Sequence, residues 1–373
     1  MIEKETSMRV LQVGLSYNPG GIESFVMNYY RQISREGVQF DFVSMFPKLA
    51  YEDEILQMGG RVYHTVDARK YPLKFRKQLM EILTNEKYMA VHVNMLSAAN
   101  IVPLIVAKKT GIPKVIAHSH NSSSPGIIRN VLHYVNKHLI PRYATDYFAC
   151  SNVAGQWLFD EKRLQSSEFH VVHNALDIKK FLYSEPESVN IRKELAIEEK
   201  FVIGHIGRFE EQKNHKFLLE IFHEVVKKRD DAVLILVGNG ELLEESRRVV
   251  KVYGIEDKVK FLGIRNDVER IWKAIDLFLF PSLFEGLPIV ALEAQAAGVY
   301  SILSDAITQE VKITDNVKFV SLNKGKEYWV QQILQCADYQ RNDMQNAIIL
   351  EQFKKAGYDI CEEAKRLKKY YLA

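Results

Sequence analysis

Short apolar runs alternate with longer amphipathic segments along most of the chain. The runs are rich in Val, Ile, Leu and Phe, as in RVLQVG at 9–14, and predict strands that are buried on both faces. The segments between them, such as 20–37, carry apolar residues at helical spacing and predict helices. Strands that alternate with helices form a parallel sheet covered on both faces, so the pattern predicts an α/β fold.

The alternation runs through the chain twice. The first round predicts strands at 9–14, 40–46, 61–66, 90–95, 114–120, 146–151 and 169–174, with helices at 20–37, 51–58, 72–84, 97–110, 125–141 and 152–160. The second round predicts strands at 201–209, 232–238, 259–263, 277–282, 300–304 and 317–322, with helices at 215–228, 241–253, 266–274 and 288–297. Two highly charged helices are predicted to close the chain, at 327–337 and 340–371.

The apolar spacing lapses into polar residues and a proline at 177–190, which we interpret as a domain boundary. The predicted domains are 1–180 and 181–355, both doubly wound and Rossmann-like, with sheets that face each other across a cleft. A C-terminal helix at 356–373 is predicted to pack back on the first domain. Ligands of such open sheets bind beyond the carboxyl ends of the strands, so residues just after strands are the site candidates.

Length and composition agree with a soluble two-domain protein. The 373 residues can form two sizeable cores, and 47% apolar with 26% charged residues is ordinary for a globular chain. No stretch approaches about 18 apolar residues, and residues 1–8 do not resemble a signal peptide. The cysteines have neither zinc spacing nor a disulfide pattern, which favours a reducing compartment; they are Cys150, Cys336 and Cys361. We therefore expect a cytoplasmic protein.

The net charge of +3 is unevenly distributed, because the first half of the chain is net positive and the second half net negative. Much of the excess lies in RKYPLKFRKQL at 69–79, which is either a solvated helix face or a surface for anionic lipid or a phosphorylated acceptor. The long helix predicted at 125–141 combines apolar residues with Arg129, Lys137 and, just beyond it, Arg142. These features suit peripheral contact with an anionic membrane at its inner face. The sequence contains no nucleic-acid recognition module, and no nucleic-acid partner is expected.

In the second domain the first strand ends in GHIGRFEEQKNH. Gly207 allows a close turn, while Arg208 and Lys213 offer two cations suited to a diphosphate. The alternative is that both are surface residues paired with Glu210 and Glu211.

Two further strand ends present turns. LVGNGEL places Asn239 between glycines where backbone N–H groups can meet an anion, and FLGIRNDV offers the main chain of Gly263 and Ile264 to a base. The first of these lacks the third glycine of a dinucleotide fingerprint, which disfavours a dinucleotide-dependent oxidoreductase.

The stretch PSLFEGLPIVALEAQAAG at 281–298 carries two glutamates with seven residues between them. Pro288 is tolerated only in the first turn of a helix, so the helix is predicted to begin there, with Glu285 in the loop before it and Glu293 within it. The backbone N–H groups of about 286–290, including those of Gly286 and Leu287, would then face a diphosphate. Glu285 could accept hydrogen bonds from sugar hydroxyls on one side of the diphosphate, and Glu293 from a ribose diol on the other. This is the layout of a nucleoside diphosphate sugar.

Together the elements G-R-x4-K and P-S-x2-E-G-L-P-x4-E-A-x-A-x-G resemble the family 4 glycosyltransferases, which are retaining, metal-independent enzymes of the GT-B fold. The resemblance implies that Glu285 contacts the donor sugar, that Glu293 binds the ribose, and that Arg208 and Lys213 neutralise the diphosphate. It extends over essentially the whole chain.

The first domain contributes two elements to this resemblance. NPGGIES resembles the family's glycine pair, which implies that Gly20 and Gly21 let the backbone approach the sugar phosphate. KVIAHSHN resembles a strand that ends in the active-centre histidine; the register favours His120, and His118 on the same face of the strand stays an alternative. In VVHNALD, Ala175 replaces the glycine that the family usually has before its second domain.

The resemblance implies transfer of a sugar from a nucleotide donor, with a UDP-sugar expected, to a hydroxyl of a glycan or lipid-linked acceptor held by the first domain. Assembly of bacterial surface polysaccharide is the expected context. No cofactor and no metal are expected, and the Asp-x-Asp element of the metal-dependent glycosyltransferases is absent from the sequence. The alternatives are a non-catalytic glycosyltransferase-like binding subunit and a GT-B-like sugar-nucleotide epimerase.

Overall fold

A computed structural model of the protein describes residues 8–18, 20–121 and 126–373, apart from the side chain of Arg35. The polar leader and the predicted helix start at Pro125 lie outside the described residues, as does Pro19 of the NPGGIES element. The chain divides into two compact units. The first ends at Leu176 and takes in Gly357–Ala373, and the second is Asp177–Ala356.

The first unit is built from alternating strands and helices. Its strands are β1 (Met8–Val13), β2 (Val38–Ser44), β3 (Val62–His64), β4 (Ala90–Met95), β5 (Lys114–Ser119), β6 (Asp146–Ala149) and β7 (Phe169–Val171). Its helices are α1 (Gly21–Ile33), α2 (Glu52–Gln57), α3 (Pro72–Asn85), α4 (Val102–Lys109), α5 (Ile127–Asn136), α6 (Ile140–Tyr143), α7 (Asn152–Leu158) and α8 (Glu161–Leu164).

The second unit repeats the plan. After α9 (Ile178–Phe181) and α10 (Glu185–Glu194), its strands are β8 (Phe201–Ile206), β9 (Ala232–Val237), β10 (Val259–Gly263), β11 (Leu277–Phe280), β12 (Tyr300–Ser304) and β13 (Val317–Val320). Its remaining helices are α11 (His215–Val226), α12 (Leu243–Val252), α13 (Val268–Ala274), α14 (Ile289–Ala296), α15 (Gly325–Cys336) and α16 (Gln345–Lys355). The chain then returns to the first unit with α17 (Ile360–Leu372).

Both sheets are parallel between every pair of described strands. The strand order is β3-β2-β1-β4-β5-β6-β7 in the first unit and β10-β9-β8-β11-β12-β13 in the second. The order reverses at β1/β4 and at β8/β11, and ligands of doubly wound sheets bind beyond the carboxyl ends of strands at such a reversal. The prediction of two doubly wound Rossmann-like domains is confirmed.

Each sheet is buried on both faces because successive side chains of a strand point to opposite sides. In β1, Leu11 joins a cluster with Phe75 and Leu79 of α3, whereas Val10 joins a second cluster with Phe25 of α1. The aliphatic runs that predicted strands are therefore core residues on two faces. Residues of α17 complete the second cluster, where the helix packs on α1.

Two of the predicted helices are interrupted in the structure. The helix at 340–371 is two helices, because Gly357 adopts a left-handed backbone with φ of 78° and Asp359 caps α17 by accepting from Glu362 N. Within 125–141, α5 stops at Asn136 and a single tight turn leads into α6.

Two further segments contain prolines. The domain boundary predicted at 177–190 adjoins the observed division between Leu176 and Asp177, but the segment is helical: it contains α9 and most of α10, whose first turn holds a proline. Pro288 caps α14 rather than lying in its first turn, and the helix begins at Ile289.

Candidate active site

In the second unit, Lys213 and Glu285 form an ion pair at the strand-order reversal. Lys213 lies in the loop after β8 and Glu285 in the loop after β11, and Nζ is 2.6 Å from Oε1. The side chains are only 15% and 10% exposed, and Nζ also lies 4.8 Å from the centroid of the Phe280 ring. In such a shielded setting each charge depends on the other, so an arriving anion would share Lys213 with Glu285.

The structure does not bring Arg208 into this pair. Its side chain is 76% exposed and its Nη1 lies 2.9 Å from Glu210 Oε1. The surface alternative therefore describes Arg208, whereas Lys213 is paired with Glu285 and not with Glu211.

The side chain of Glu293, a residue of α14, contacts the indole ring of Trp272. Trp272 Nε1 donates to Glu293 Oε2 at 3.2 Å, and burial among the apolar residues of the helix raises the pKa of Glu293 to about 7. A carboxyl with this pKa exchanges its proton near neutral pH. It can therefore gain a full negative charge when hydroxyl donors arrive.

We expect the free energy of unfolding to fall with rising pH because of Glu293. The folded protein holds the proton to about pH 7 and the unfolded chain only to its ordinary value of 4.5, so the folded state loses relative stability across that interval. One pKa unit corresponds to about 1.4 kcal/mol, and a loss of about 2 kcal/mol is expected between about pH 5 and pH 8. Urea unfolding of the wild type and of Glu293→Gln at both pH values measures it. Parallel pH dependences in the two proteins would contradict the assignment.

Backbone hydrogen bonds join the loops that follow β8, β9 and β10. Gly207 N donates to Val237 O at 2.9 Å, and Gly238 N donates to Gly263 O at 2.8 Å. Gly238 has φ of 139°, and a Cβ there would lie 2.0 Å from Gly207 O. Only glycine lets the two strand ends approach this closely.

The other donor-side candidates lie on the same edge of the sheet. Asn239 O accepts from Phe209 N at 3.0 Å, which ties the loop after β9 to the one after β8. Ile264, beside Gly263, is 73% exposed. Gly286 and Leu287 lead into Pro288 and α14, in which Ala291 N donates to Pro288 O at 3.0 Å while the N–H groups of Ile289 and Val290 precede any acceptor within the helix.

In the first unit the structure distinguishes the two histidines. His118 is fully buried, with its ring packed against Phe25 and Phe148. His120 follows β5, is partly exposed, and its Nε2 lies 2.9 Å from Asn94 Oδ1. Burial lowers the pKa of His120 to about 3, so the ring is neutral at physiological pH. Only His120 has surface available to a ligand.

The glycine pair precedes α1. Gly20 caps the helix, and a Cβ there would lie 2.8 Å from Glu23 Oε2, whose buried carboxylate also accepts from Ser16 N at 2.7 Å. Gly21 has open space around it. The glycine at 20 thus makes room for Glu23, which fixes the loop after β1. At the end of the unit, Ala175 N donates to His173 O at 2.8 Å, so a tight turn forms although alanine stands in place of glycine.

Comparison with known proteins places these features in a family. The model of "Glycosyltransferase Family 4" matches residues 19–180, and that of "Glycosyl transferases group 1" matches residues 187–349. The putative glycosyltransferase EpsF of Bacillus subtilis is 32% identical over 362 residues, which cover 94% of this chain and 93% of that protein. The chain belongs to the family 4 glycosyltransferases.

Two other proteins are similar to this family 4 glycosyltransferase. The UDP-Gal:alpha-D-GlcNAc-diphosphoundecaprenol alpha-1,3-galactosyltransferase of Escherichia coli is 29% identical over 234 residues, covering 61% of this chain and 60% of that one. The crystal structure of Anabaena Alr3699/HepE in complex with UDP has a TM-score of 0.78 at 18% identity, covering 97% of this chain and 99% of that chain. The GT-B fold is confirmed.

Several residues around the site of this glycosyltransferase were missed by the sequence analysis. Phe280 lies against Lys213 of the ion pair, and Trp272 donates to Glu293. Glu23 accepts from the loop after β1, and Asn94 is hydrogen-bonded to His120. Asn94 carried a signal, since a polar residue inside an apolar strand needs a partner. No comparable indication for Trp272 exists in the sequence, because its hydrogen bond joins α13 to α14 and no local pattern predicts such a contact.

In the part of the chain that the structure describes, no helix combines the length and apolar character required to cross a bilayer.

Proposed function

We propose that this glycosyltransferase moves a sugar from a UDP-sugar to a hydroxyl of a lipid-linked glycan, with retention of anomeric configuration and without a metal ion. The observation that carries the proposal is the shielded Lys213–Glu285 pair where the order of β8 and β11 reverses. A cation and a carboxylate side by side suit a diphosphate joined to a sugar, since one binds phosphate oxygens and the other accepts from hydroxyls.

Each residue then has a role in the transfer. Lys213 and the first N–H groups of α14 stabilise the departing diphosphate, and Arg208 turns from Glu210 to join them. Glu285 accepts from hydroxyls of the sugar, and Glu293 from the ribose diol.

The bond changes occur on one face of the sugar. The bond from the anomeric carbon to the diphosphate oxygen breaks as the acceptor oxygen bonds to the same face. The acceptor proton passes to the departing phosphate oxygen. His120 of the first unit contacts the sugar as a neutral hydrogen-bonding group. Two relatives support a UDP donor, because one is named for UDP-Gal and HepE was solved with UDP.

A thermal-stability panel tests the donor part. UDP, GDP, ADP and their sugars are added with EDTA or with Mg²⁺, using Glu293→Ala as control. A ligand at 100 times its dissociation constant stabilises by about 2.7 kcal/mol, a shift of a few degrees in a chain of this length. We expect UDP and a UDP-sugar to stabilise the wild type with EDTA present and to lose the effect in the variant. If no nucleotide stabilises either protein, the non-catalytic binding subunit becomes the better interpretation.

The transfer product tests the chemistry. With a UDP-sugar and a diphosphate-lipid acceptor, the proton coupling at the new anomeric centre should match that of the donor sugar. An inverted product would exclude retention, and loss of transfer in EDTA with donor binding intact would exclude metal independence.

A cavity in the first unit supports an acceptor with an apolar part. It has a volume of about 580 Å³, lies at the carboxyl ends of β1, β2 and β4, and is lined largely by apolar side chains such as Met45, Phe75 and Met95. Arg69 and Arg129 are the cations of its lining. Apolar walls with basic groups at the edge suit a diphosphate-linked lipid, the acceptor type in the name of the Escherichia coli relative.

The adjacent helix α5 supports contact with a membrane. Ile127 and Ile128 are 84% and 78% exposed, and Leu73 of the basic helix α3 is 80% exposed. Exposed apolar residues beside basic ones are typical of surfaces that lie in the headgroup region of an anionic bilayer.

Replacing both isoleucines by asparagine is expected to weaken binding to anionic vesicles. Because each apolar side chain that enters the bilayer contributes about 1.5–3 kcal/mol, Ile127→Asn with Ile128→Asn should lower the partition coefficient at least about a hundredfold. Flotation with phosphatidylglycerol vesicles at low salt measures this. Val252→Asn is the matched control, since Val252 is an 81% exposed apolar residue of α12 in the second unit. Equal flotation of all three proteins would contradict membrane contact through α5.

A further inference from the structure

A chain of hydrogen-bonded side chains lies beneath His120 in the first unit. Its members come from β1, β4, β5 and α17, and we name it the histidine network. It consists of Gln12, His92, Asn94, His118, His120 and Tyr371.

The amide of Asn94 has one possible orientation. Its Nδ2 donates to Gln12 Oε1 at 3.0 Å and to Val13 O at 3.3 Å, and a backbone carbonyl can only accept. Asn94 Oδ1 therefore faces His120 Nε2 at 2.9 Å. Since an amide oxygen is an acceptor, Nε2 of His120 must carry the proton and Nδ1 the lone pair.

The remaining bonds of the network extend from Gln12 through Tyr371 to the two buried histidines. Because Gln12 Oε1 is occupied, its Nε2 donates to the Tyr371 hydroxyl at 3.3 Å. Tyr371 lies 2.7 Å from His92 Nδ1 and His92 Nε2 lies 2.9 Å from His118 Nδ1; in one consistent arrangement Tyr371 donates to His92 and His92 donates to His118, whose Nε2 has no partner among the described groups. The backbone carbonyl of Val13 fixes the orientation of Asn94 and, through it, that of Gln12, and the bonds from Tyr371 to His118 are compatible with that orientation.

Apart from His120, the network is closed to water, and it contains no ion among the described residues. Gln12, His92, Asn94, His118 and Tyr371 are each at most 5% exposed. Within the described ranges, no carboxylate or cation is hydrogen-bonded to any member. In such surroundings a broken bond leaves a polar group desolvated, and this penalty holds the amides of Gln12 and Asn94 in place.

We propose that Asn94 is a positioning residue, held by Gln12 and Tyr371, that fixes His120 as the tautomer with the proton on Nε2. The ring then presents Nδ1, which has no partner among the described groups, as an acceptor for a hydroxyl of the donor sugar. That last role rests on the proposed function, whereas the tautomer does not. The last helix of the chain thereby takes part in the geometry of the site.

Nitrogen NMR of the free wild-type protein tests the tautomer directly. In protein labelled with ¹⁵N-histidine, two-bond proton–nitrogen correlations distinguish the protonated ring nitrogen, and His120→Asn assigns the signals of His120. We expect a protonated Nε2 and an unprotonated Nδ1 in wild-type protein at pH 7. A protonated Nδ1 overturns the proposal, whether or not sugar transfer has been detected.

Variants test the positioning. Asn94→Leu should lower kcat for transfer by about 10- to 100-fold with KM for the donor nearly unchanged, because the ring loses its orientation while the donor site stays intact. Asn94→Asp keeps the acceptor oxygen and adds a charge that raises the pKa of His120. Its rate should exceed that of Asn94→Leu at high pH and fall as the pH drops and His120 becomes protonated. Rates of the two variants that agree at every pH would overturn the role of Asn94.

Variants of two neighbouring tyrosines distinguish an effect of the histidine network from an effect of packing in α17. Tyr371→Phe should shift the His120 nitrogen signals and lower kcat about three- to tenfold. Tyr370→Phe removes a hydroxyl from the same helix that is bonded to Arg366 Nε, outside the network, and should do neither. Identical spectra and rates in the two variants would exclude Tyr371 from the positioning of His120.

Discussion

Lys213→Met is expected to lower the rate of sugar transfer by about 10²–10³, because removal of one fixed group that stabilises developing charge has this effect. Methionine keeps the apolar stem that packs near Phe280 and removes only the ammonium. The same change leaves Glu285, 10% exposed, without its cation and should destabilise the fold by about 1–3 kcal/mol. Initial rates with saturating UDP-sugar and urea unfolding measure the two effects.

Two further variants separate the effect on the transfer rate from the effect on stability. Lys213→Met combined with Glu285→Gln removes both charges, so stability should largely return while transfer stays low. Lys216→Met, an exposed lysine three residues along the chain, should change neither. If the double variant regains transfer, the ion pair stabilises the fold and takes no part in the reaction.

Gly238→Ala is expected to destabilise the second unit by at least about 3 kcal/mol or to prevent its folding. The new Cβ would lie 2.0 Å from Gly207 O and 2.9 Å from Gly207 C, and backbone cannot swing aside as a side chain can. The ends of β8 and β9 would have to separate, which moves the Gly207–Arg208 segment as well. UDP binding should therefore weaken together with stability.

Gly254→Ala is the matched control for this change. Gly254 also has a positive φ, of 64°, but a Cβ there meets no atom within 4 Å. Only the strain of the left-handed backbone is added, about 1 kcal/mol. Calorimetry follows both variants, with the transition of the second unit identified by its shift with UDP. Equal losses in the two variants would show that the strand ends can adjust.

The sequence predicted what local pattern determines. Aliphatic runs gave the strands, and the glycines just after them gave the strand ends at Gly207, Gly238 and Gly263. The two glutamates of 281–298 stood out because each has an unusual neighbourhood, one before a proline-capped helix and one among alanines. Lys213 was identified by its position, a few residues after the end of a predicted strand.

Long-range pairing was beyond such reasoning. Tyr371 lies 279 residues from His92 in the sequence, and nothing local in α17 indicates that its hydroxyl ends beneath β4. The break at Gly357 was visible in principle, since glycine commonly ends a helix. The charged pattern on both sides of it outweighed that signal. Arg208 is a different case, because an exposed arginine pairs with whichever acid is nearest, here Glu210, and its contact with the diphosphate stays a prediction.

The return of α17 to the first unit has a consequence for biosynthesis. Domains usually complete their folding in the order in which they leave the ribosome. Here the second unit is one continuous segment, Asp177–Ala356, and can finish while translation continues. The first unit, although most of it is made earlier, cannot bury Leu367 or form the hydrogen bonds of Tyr371 until α17, which follows the whole second unit, has emerged. A nascent chain stalled at residue 356 should therefore bind UDP while its first 176 residues remain sensitive to protease.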